Sequence, residues 1–187
     1  MKLLSTMTII ASLLAPIAVQ AKEISGVNVP EQITINDQSL QLNGAGIRSK
    51  FFIDLYVGSL YLPKASQDVA DILNQPVAVI RLNITSGMIT AEKMTDAINE
   101  GFDDATDNNT APIASQISAF MSLFNSPINE GDQFTLVADK ANGVTAYKNG
   151  KQQGEAIKGE AFRVALIDIW LGKEPSQKSL KQEMLGQ

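Results

Sequence analysis

Residues 51–62 read FFIDLYVGSLYL, a nearly continuous apolar and aromatic run that ends before Pro63. A strand that is apolar on both sides of its pleat is typical of a sheet whose two faces are both covered. We therefore predict one long strand over these residues, at the centre of the sheet.

Shorter strands are predicted on both sides of this run. Ile33, Ile35, Leu40 and Leu42 alternate with polar neighbours around Asn36-Asp37, which predicts a hairpin over residues 32–42. Residues 77–84 also have strand character. Three further strands are predicted at residues 134–137, 144–147 and 152–157, separated by Asn142-Gly143 and Asn149-Gly150, dipeptides that strongly favour tight hairpin turns. These last strands form an antiparallel meander.

Helices are predicted in the middle and at the end of the chain. A short helix is predicted within residues 66–74, and Thr90 and Thr110 can each begin an amphipathic helix. A helix over residues 160–171, ended by Gly172, precedes a final helix that carries Leu180 and Met184. Blocks of strands followed by blocks of helices indicate the α+β class.

The composition excludes several classes of function. The chain has 187 residues, 44% of them hydrophobic, which is enough for one domain. It has no Cys and no His, so thiol nucleophiles, disulfides, Ser-His-Asp triads and ordinary zinc sites are excluded. A net charge of −5 argues against nucleic acid or an anionic membrane surface as the main partner. The sequence predicts no metal and no cofactor.

The first residues predict an export signal. Lys2 precedes an apolar stretch over residues 3–19, and Val19 and Ala21 place small residues at positions −3 and −1 of a cleavage site. The stretch is too short and too interrupted for a stable membrane span. We therefore predict a signal peptide over residues 1–21, a mature domain over residues 22–187 and a periplasmic location, which suits a chain without thiols.

One segment has an unusual local composition: Asn43-Gly44-Ala45-Gly46-Ile47-Arg48, directly before the apolar run. Its glycines permit a tight backbone and place a permanent cation beside an apolar strand. Arg48 has two interpretations, a surface arginine paired with a carboxylate at the sheet edge or an anchor for a ligand carboxylate above an apolar cavity.

Tyr56 is the second candidate site residue. In one unbroken strand it would lie on the same side as Arg48 but about 26 Å away, so a bend, bulge or hairpin has to intervene if the two side chains are to meet. Its other interpretation is core filling, with its hydroxyl satisfied at the edge of the core. Tyr61 and Trp170 are interpreted as packing residues, and Lys93 and Glu100 as solvated charges.

These segments resemble a known family. Residues 43–48, 50–62 and the ending Ile169-Trp170-Leu171-Gly172-Lys173-Glu174-Pro175 are similar to the chalcone isomerase superfamily, and specifically to its bacterial chalcone isomerase-like branch. The resemblance covers nearly all of the mature chain. It implies an open-faced β-sandwich, in which a layer of helices covers one face of a large antiparallel sheet and a ligand cleft lies between them.

The resemblance also implies a function. The superfamily contains enzymes that close a chalcone to a flavanone and non-enzymatic relatives that bind fatty acids; Arg48 matches an arginine that both groups use, and Tyr56 matches a tyrosine of the fatty-acid binders. Lys93, Glu100 and Ile169 fall near other active-site positions of the enzyme, whose polar set is missing here. The resemblance therefore implies a non-catalytic protein that binds a small amphipathic anion such as a fatty acid through Arg48 and Tyr56. An isomerase (intramolecular lyase) acting on a chalcone-like phenolic or enone substrate is the alternative, and a partner-binding module is a third.

Overall fold

The computed structural model describes residues 21–187, and the predicted signal peptide over residues 1–21 lies outside them except for Ala21. In this range the strands are β1 (Ala21–Ile24), β2 (Val27–Pro30), β3 (Gln32–Ile35), β4 (Gln38–Lys50), β5 (Ile53–Leu62), β6 (Val77–Ile84), β7 (Gln133–Asp139), β8 (Gly143–Lys148) and β9 (Lys151–Ile157). The helices are α1 (Val69–Asn74), α2 (Ala91–Ala105), α3 (Ala114–Met121), α4 (Glu160–Leu171) and α5 (Lys178–Met184), with short 3₁₀ turns at Ala111–Ile113 and Ser122–Phe124. None of these helices is both long enough and apolar enough to cross a membrane.

A seven-stranded antiparallel sheet in the order β3-β4-β5-β6-β7-β8-β9 forms the body of the fold, and β1 and β2 form a separate hairpin. Every pair of neighbouring strands in the sheet is also consecutive along the chain. The helices pack against one face of the sheet. The predicted α+β class, a large antiparallel sheet covered by a layer of helices, is therefore confirmed.

Different elements cover the two faces of the sheet. The helix-side face packs against α2, α3 and α4, whose Phe102, Phe120 and Phe162 rings contact one another. The hairpin-side face carries a smaller apolar cluster, to which the β1–β2 hairpin contributes. Along β5, Leu60 belongs to the helix-side core and Tyr61 to the hairpin-side cluster, as the two-residue repeat of a strand requires.

The sheet is strongly curled. Residues 34–36, at the β3 edge, line the same cavity as Thr135 of β7 and Tyr147 of β8. In a flat sheet β3 and β8 would be about 24 Å apart, because five steps of ~4.8 Å separate them. The hairpin-side face is therefore the concave one.

Local turn signals locate two of the hairpins. Asn36 and Asp37 both have positive φ, 48° and 61°, and connect β3 to β4 in the predicted hairpin. Asn149 and Gly150 have φ of 51° and 76° and connect β8 to β9 in the same way. Asn, Asp and Gly tolerate this conformation best, which is why these turns are readable from sequence.

The strand predicted over residues 51–62 at the centre of the sheet is wrong at its start and in its place, because β5 begins at Ile53 and β6 is the central strand. Phe51 and Phe52 form the turn between β4 and β5, with φ of 51° and 65°. The Phe51 ring is 82% exposed and the Phe52 ring is fully exposed. Two bulky residues in the left-handed region are strained, since this kind of turn favours Asn-Gly.

Replacing Phe51-Phe52 with Asn-Gly is therefore expected to raise the free energy of unfolding by about 1 kcal/mol, because the left-handed conformation is strained for a bulky side chain. Urea denaturation of wild type and of the double variant measures the change. Met88→Asn is the control, because Met88 is also an exposed apolar residue but does not have positive φ. A less stable double variant would contradict the interpretation of this turn as strained.

The glycines of the 43–48 segment face α5. An added Cβ at Gly44 would collide with the Glu183 carbonyl oxygen and would lie 2.8 Å from Met184 O. An added Cβ at Gly46 would collide with the Glu183 side chain. Asn43 joins the same contact, because its Nδ2 donates to Met184 O at 2.9 Å. These glycines therefore allow α5 to lie directly on β4.

Candidate functional site

A β-bulge places Arg48 and Tyr56 opposite each other. In the β4–β5 hairpin Ser49 pairs with Asp54, but Arg48 pairs with Tyr56, because Leu55 is an extra residue on β5. Without the bulge Arg48 would pair with Leu55, and Tyr56 would project from the other face of the sheet. The hairpin and the bulge together bring the two predicted site residues side by side.

Arg48 is half-buried and has no carboxylate partner within residues 21–187. Its Nη1 donates to Ser49 O at 2.7 Å and to Gln177 Oε1 at 3.0 Å. Its Nε and Nη2 make no hydrogen bond with the described residues. The salt bridge that the surface interpretation of Arg48 requires is therefore not formed with any residue in the range 21–187. Two of the guanidinium nitrogens remain available to an anion.

Gln177, just before α5, positions this arginine. Strand β3 pairs only with residues 38–41 of β4, so the later part of β4 has a free edge. Gln177 pairs with this edge: its Oε1 accepts from the Ser49 backbone N–H and its Nε2 donates to Ile47 O, both at 3.0 Å. The same Oε1 accepts from Arg48. One amide side chain therefore orients both the strand and the guanidinium.

Tyr56 is buried, and its Oη accepts a hydrogen bond from Trp170 Nε1 at 3.0 Å. Burial raises the pKa of Tyr56, although the hydrogen bond from Trp170 and the charge of Arg48 act in the opposite direction. The phenol is therefore protonated at neutral pH, so it can donate a hydrogen bond but is not a base. Because Trp170 already donates to the oxygen, the proton of Tyr56 is available to another acceptor.

Sequence reasoning missed three contributors to this site: Trp170, Ser176 and Gln177. Trp170 is buried as predicted, but it also provides the hydrogen bond to Tyr56. Ser176 has a buried Oγ without a hydrogen-bond partner among residues 21–187. Buried hydroxyls without a partner are uncommon in folded proteins. The signal that could have indicated these residues is their position within, or directly after, the Ile169–Pro175 motif that carried the resemblance.

The other positions implied by the resemblance do not join Arg48 and Tyr56. Lys93 and Glu100 are exposed on α2, as predicted, and the Lys93 Nζ donates to Met88 O at 3.2 Å. Ile169 is buried in the helix-side core. Within residues 21–187 no three acidic side chains are arranged to hold a metal ion.

The apolar region next to this site is filled by the protein's own side chains. Ile84 pairs with Tyr56 across β5 and β6, and Ile89, Met94 and Ile98 are buried in the same helix-side core. Two cavities, of about 480 and 220 Å³, are lined by other residues. A ligand tail that extends from Arg48 and Tyr56 into this part of the core therefore has to displace its side chains.

The fold and this site define a class of protein: a curled antiparallel sheet with helices on one face and an arginine–tyrosine pair in the β4–β5 hairpin. The chain belongs to the chalcone isomerase-like family, whose sequence profile matches residues 21–186. Among solved structures it is similar to the crystal structure of a fatty-acid binding protein from Arabidopsis thaliana, with 16% sequence identity and a TM-score of 0.65. The match covers 89% of this chain and 95% of that chain, and at this identity it shows the fold. Among curated proteins, no sequence matches this chain.

Proposed function

We propose that this protein binds a small amphipathic anion such as a fatty acid, without catalysing a reaction, and that Arg48 and Tyr56 hold its carboxylate. The observation that carries the proposal is the half-buried Arg48, with two unpaired guanidinium nitrogens, opposite the protonated Tyr56. A carboxylate accepts hydrogen bonds from a guanidinium in a fork, and a third bond from the phenol adds to them. The similarity in fold to a fatty-acid binding protein supports the same class of ligand.

The apolar tail of the ligand lies between the sheet and α2. Its entrance is the segment over residues 85–90, which follows Ile84, the cross-strand neighbour of Tyr56. The backbone N–H groups of Met88 and Ile89 bond only to Ser86 within this segment. Thr85 is held to β5 through Leu55 O, and Met88 O accepts from Lys93 Nζ. Residues 86–89 can move outward without breaking the sheet, so that the tail replaces core side chains there.

The expected affinity follows from the two parts of the ligand. Burying about ten methylenes at ~0.8 kcal/mol each contributes roughly 8 kcal/mol of favourable binding free energy. The contact between Arg48 and the carboxylate contributes about 1.5–3 kcal/mol more. Association and ordering cost about 4 kcal/mol or more. The result is a dissociation constant on the micromolar scale, in which the tail determines affinity and Arg48 determines orientation.

A binding role fits this site better than catalysis. An enzyme needs groups that bind the transition state more strongly than the ground state. Of the positions that the resemblance relates to the enzyme's active site, Arg48 is polar and beside Tyr56, whereas Lys93 and Glu100 are exposed and Ile169 is apolar. We place this binding function in the periplasm, on the basis of the signal peptide that the sequence predicts over residues 1–21.

Palmitate binding to purified protein tests the proposal. Wild type is expected to bind one palmitate with micromolar affinity, and Arg48→Ala is expected to weaken binding by roughly ten- to a hundredfold, which corresponds to the 1.5–3 kcal/mol of the charged contact. Titration calorimetry measures the affinities, and native mass spectrometry gives the stoichiometry.

The control is Lys151→Ala, which removes one positive charge from an exposed residue at the start of β9. Its palmitate affinity is expected to equal that of wild type. Equal affinity in Arg48→Ala and wild type would refute the anchor, and the absence of palmitate binding by wild type would refute the binding function. Acceleration of chalcone ring closure above the spontaneous rate would favour the isomerase instead.

A further inference from the structure

The concave face of the sheet carries a second arginine without a carboxylate partner. Arg81 lies in the middle of β6 and is half-buried. Its Nε donates to Thr135 Oγ1 at 3.2 Å, and its guanidinium carbon lies 5.5 Å from the centre of the Tyr61 ring. Its Nη1 and Nη2 make no hydrogen bond or ion pair with residues 21–187. The chain has 20 acidic residues, yet none within this range pairs with this half-buried cation.

Arg81 belongs to a polar row that interrupts the apolar cluster of the concave face and lies next to the hydrogen-bonded Asn83–Gln133 pair. The cross-strand pairs Ser59–Arg81, Arg81–Thr135 and Thr135–Tyr147 run in one line across β5, β6, β7 and β8. Directly opposed residues in an antiparallel sheet project from the same face. Ser59 Oγ is buried without a hydrogen-bond partner in the described residues, and Tyr147 at the other end of the row is half-buried. Arg81 and Ser59, which are cross-strand neighbours, thus both hold unused polar groups on the concave face.

A cavity of about 220 Å³ opens onto this row. Its lining includes Arg81, Thr135, Gln133 and Tyr147, and residues 34–36 close it from the β3 edge because the sheet is curled. The cavity is smaller than the roughly 300–1,000 Å³ of sites for drug-sized ligands. Its occupant is therefore small, and a long acyl chain does not fit.

The electrostatics of the cavity favour a single negative charge. Burial lowers the pKa of Arg81, which means that the charged form is destabilised by desolvation. An anion would relieve this effect. Arg81 is the one cation among the described residues that line this cavity, and its planar fork matches the two oxygens of a carboxylate. Ile35 and the Tyr147 ring provide apolar walls for the rest of such a ligand.

From this geometry we infer that the concave face holds a second ligand site, in which Arg81 binds the carboxylate of a small aromatic or short-chain monocarboxylate and Tyr147 packs against its apolar part. The site lies on the opposite face of the sheet from Arg48 and Tyr56, so it is independent of the proposed fatty-acid function.

Benzoate is the probe that tests this site. Titration of ¹⁵N-labelled protein with benzoate, followed by NMR, is expected to give saturable shifts at the Arg81 Nε–H and at the Thr135 and Tyr147 amides. Arg81→Gln is expected to weaken benzoate binding at least tenfold, and Arg81→Lys, which keeps the charge but lacks the fork, about threefold or more. Arg48→Ala is the control and is expected to bind benzoate as wild type does.

Several outcomes would overturn the inference. Unsaturable shifts in wild type, or equal benzoate affinity in wild type and Arg81→Gln, would do so. Should Arg81→Gln not fold, equal affinity in Arg81→Lys and wild type would have the same meaning. Tighter binding of inorganic phosphate than of benzoate would refute the assignment to a monocarboxylate. Loss of benzoate binding in Arg48→Ala alone would place the ligand in the other site, whereas a failure of palmitate binding leaves this test unaffected.

Discussion

Replacing Gly44 with alanine is expected to lower the free energy of unfolding by about 3 kcal/mol, the upper end of the usual range for overpacking. The new methyl would meet Glu183 O, Met184 O and Gly186 N, which are all backbone atoms. A flexible side chain could turn away, but here α5 itself has to move. The movement would disturb the buried Leu180 and Met184.

Guanidinium denaturation of Gly44→Ala and wild type measures this loss. Gly87→Ala is the matched control, because a Cβ there would have no atom within 4 Å and its backbone does not have positive φ. Its stability is expected to change by less than about 0.5 kcal/mol. If Gly44→Ala were equally neutral, the close packing of α5 on β4 would be wrong.

The same substitution is expected to affect the ligand site. Gln177 lies directly before α5 and holds both Arg48 and the free edge of β4. A displaced α5 would therefore also displace Arg48. This connection gives the glycines of the 43–48 segment a physical role. They set the distance between β4 and α5, and Gln177, the residue before α5, orients Arg48.

The parts of the fold that were predictable from sequence are those with local signals. The strand over residues 77–84 and the helix over residues 160–171 coincide with β6 and α4, because their periodicity and their flanking residues agree. The turns at Asn36-Asp37 and Asn149-Gly150 were also predictable, since those residues tolerate positive φ. Each of these signals lies within a few residues of the element that it predicts.

The β4–β5 hairpin was not predictable in this way. Phe51 and Phe52 extend an apolar run and carry no turn signal, yet they adopt the conformation that Asn-Gly would favour. The bulge at Leu55 is a property of two paired strands rather than of one segment. Sequence reasoning could therefore name Arg48 and Tyr56, and could state that a hairpin or bulge was needed, without locating either.

The polar partners of the site depend on tertiary packing. Trp170 is more than one hundred residues from Tyr56 in the sequence, and Gln177 is similarly far from Arg48. The concave cavity depends on the curl of the whole sheet, which brings β3 to β7 and β8. Arg81 occupies an ordinary position in a strand, and only this curl gives it a cavity.

Glu160→Gln is expected to lower the free energy of unfolding by about 2 kcal/mol at pH 7, because it leaves a buried arginine without its counter-ion. Arg163 on α4 is 1% exposed, and its Nε and Nη2 donate to the two carboxylate oxygens of Glu160 at 2.8 and 2.7 Å. Its Nη2 also donates to Leu73 O of α1, at 2.6 Å. Loss of one partner of a buried pair typically costs about 3–5 kcal/mol, and the 51% exposure of Glu160 reduces that figure through solvent screening.

This contribution is expected to depend on pH with a defined sign. The hydrogen bonds from Arg163 hold the pKa of Glu160 below its ordinary value. A carboxyl group whose pKa is lower in the folded state stabilises the fold above the unfolded pKa, about 4.3, and loses this effect as the pH falls through the folded value. The difference in stability between wild type and Glu160→Gln is therefore largest at neutral pH and shrinks below about pH 4.

Urea denaturation of both proteins between pH 3 and pH 7 measures this difference. Glu92→Gln is the matched control, because Glu92 also lies in the first turn of a helix but forms no ion pair within residues 21–187. Its free energy of unfolding is expected to fall by only about 0.3–1 kcal/mol, because the substitution removes a negative charge that interacts favourably with the helix dipole. A loss in Glu160→Gln no larger than in Glu92→Gln would mean that the helix dipole, and not Arg163, accounts for the contribution of Glu160. In that case the hydrogen bond from Arg163 to Leu73 O would link α4, whose last turn carries Trp170, to α1 without a contribution from Glu160.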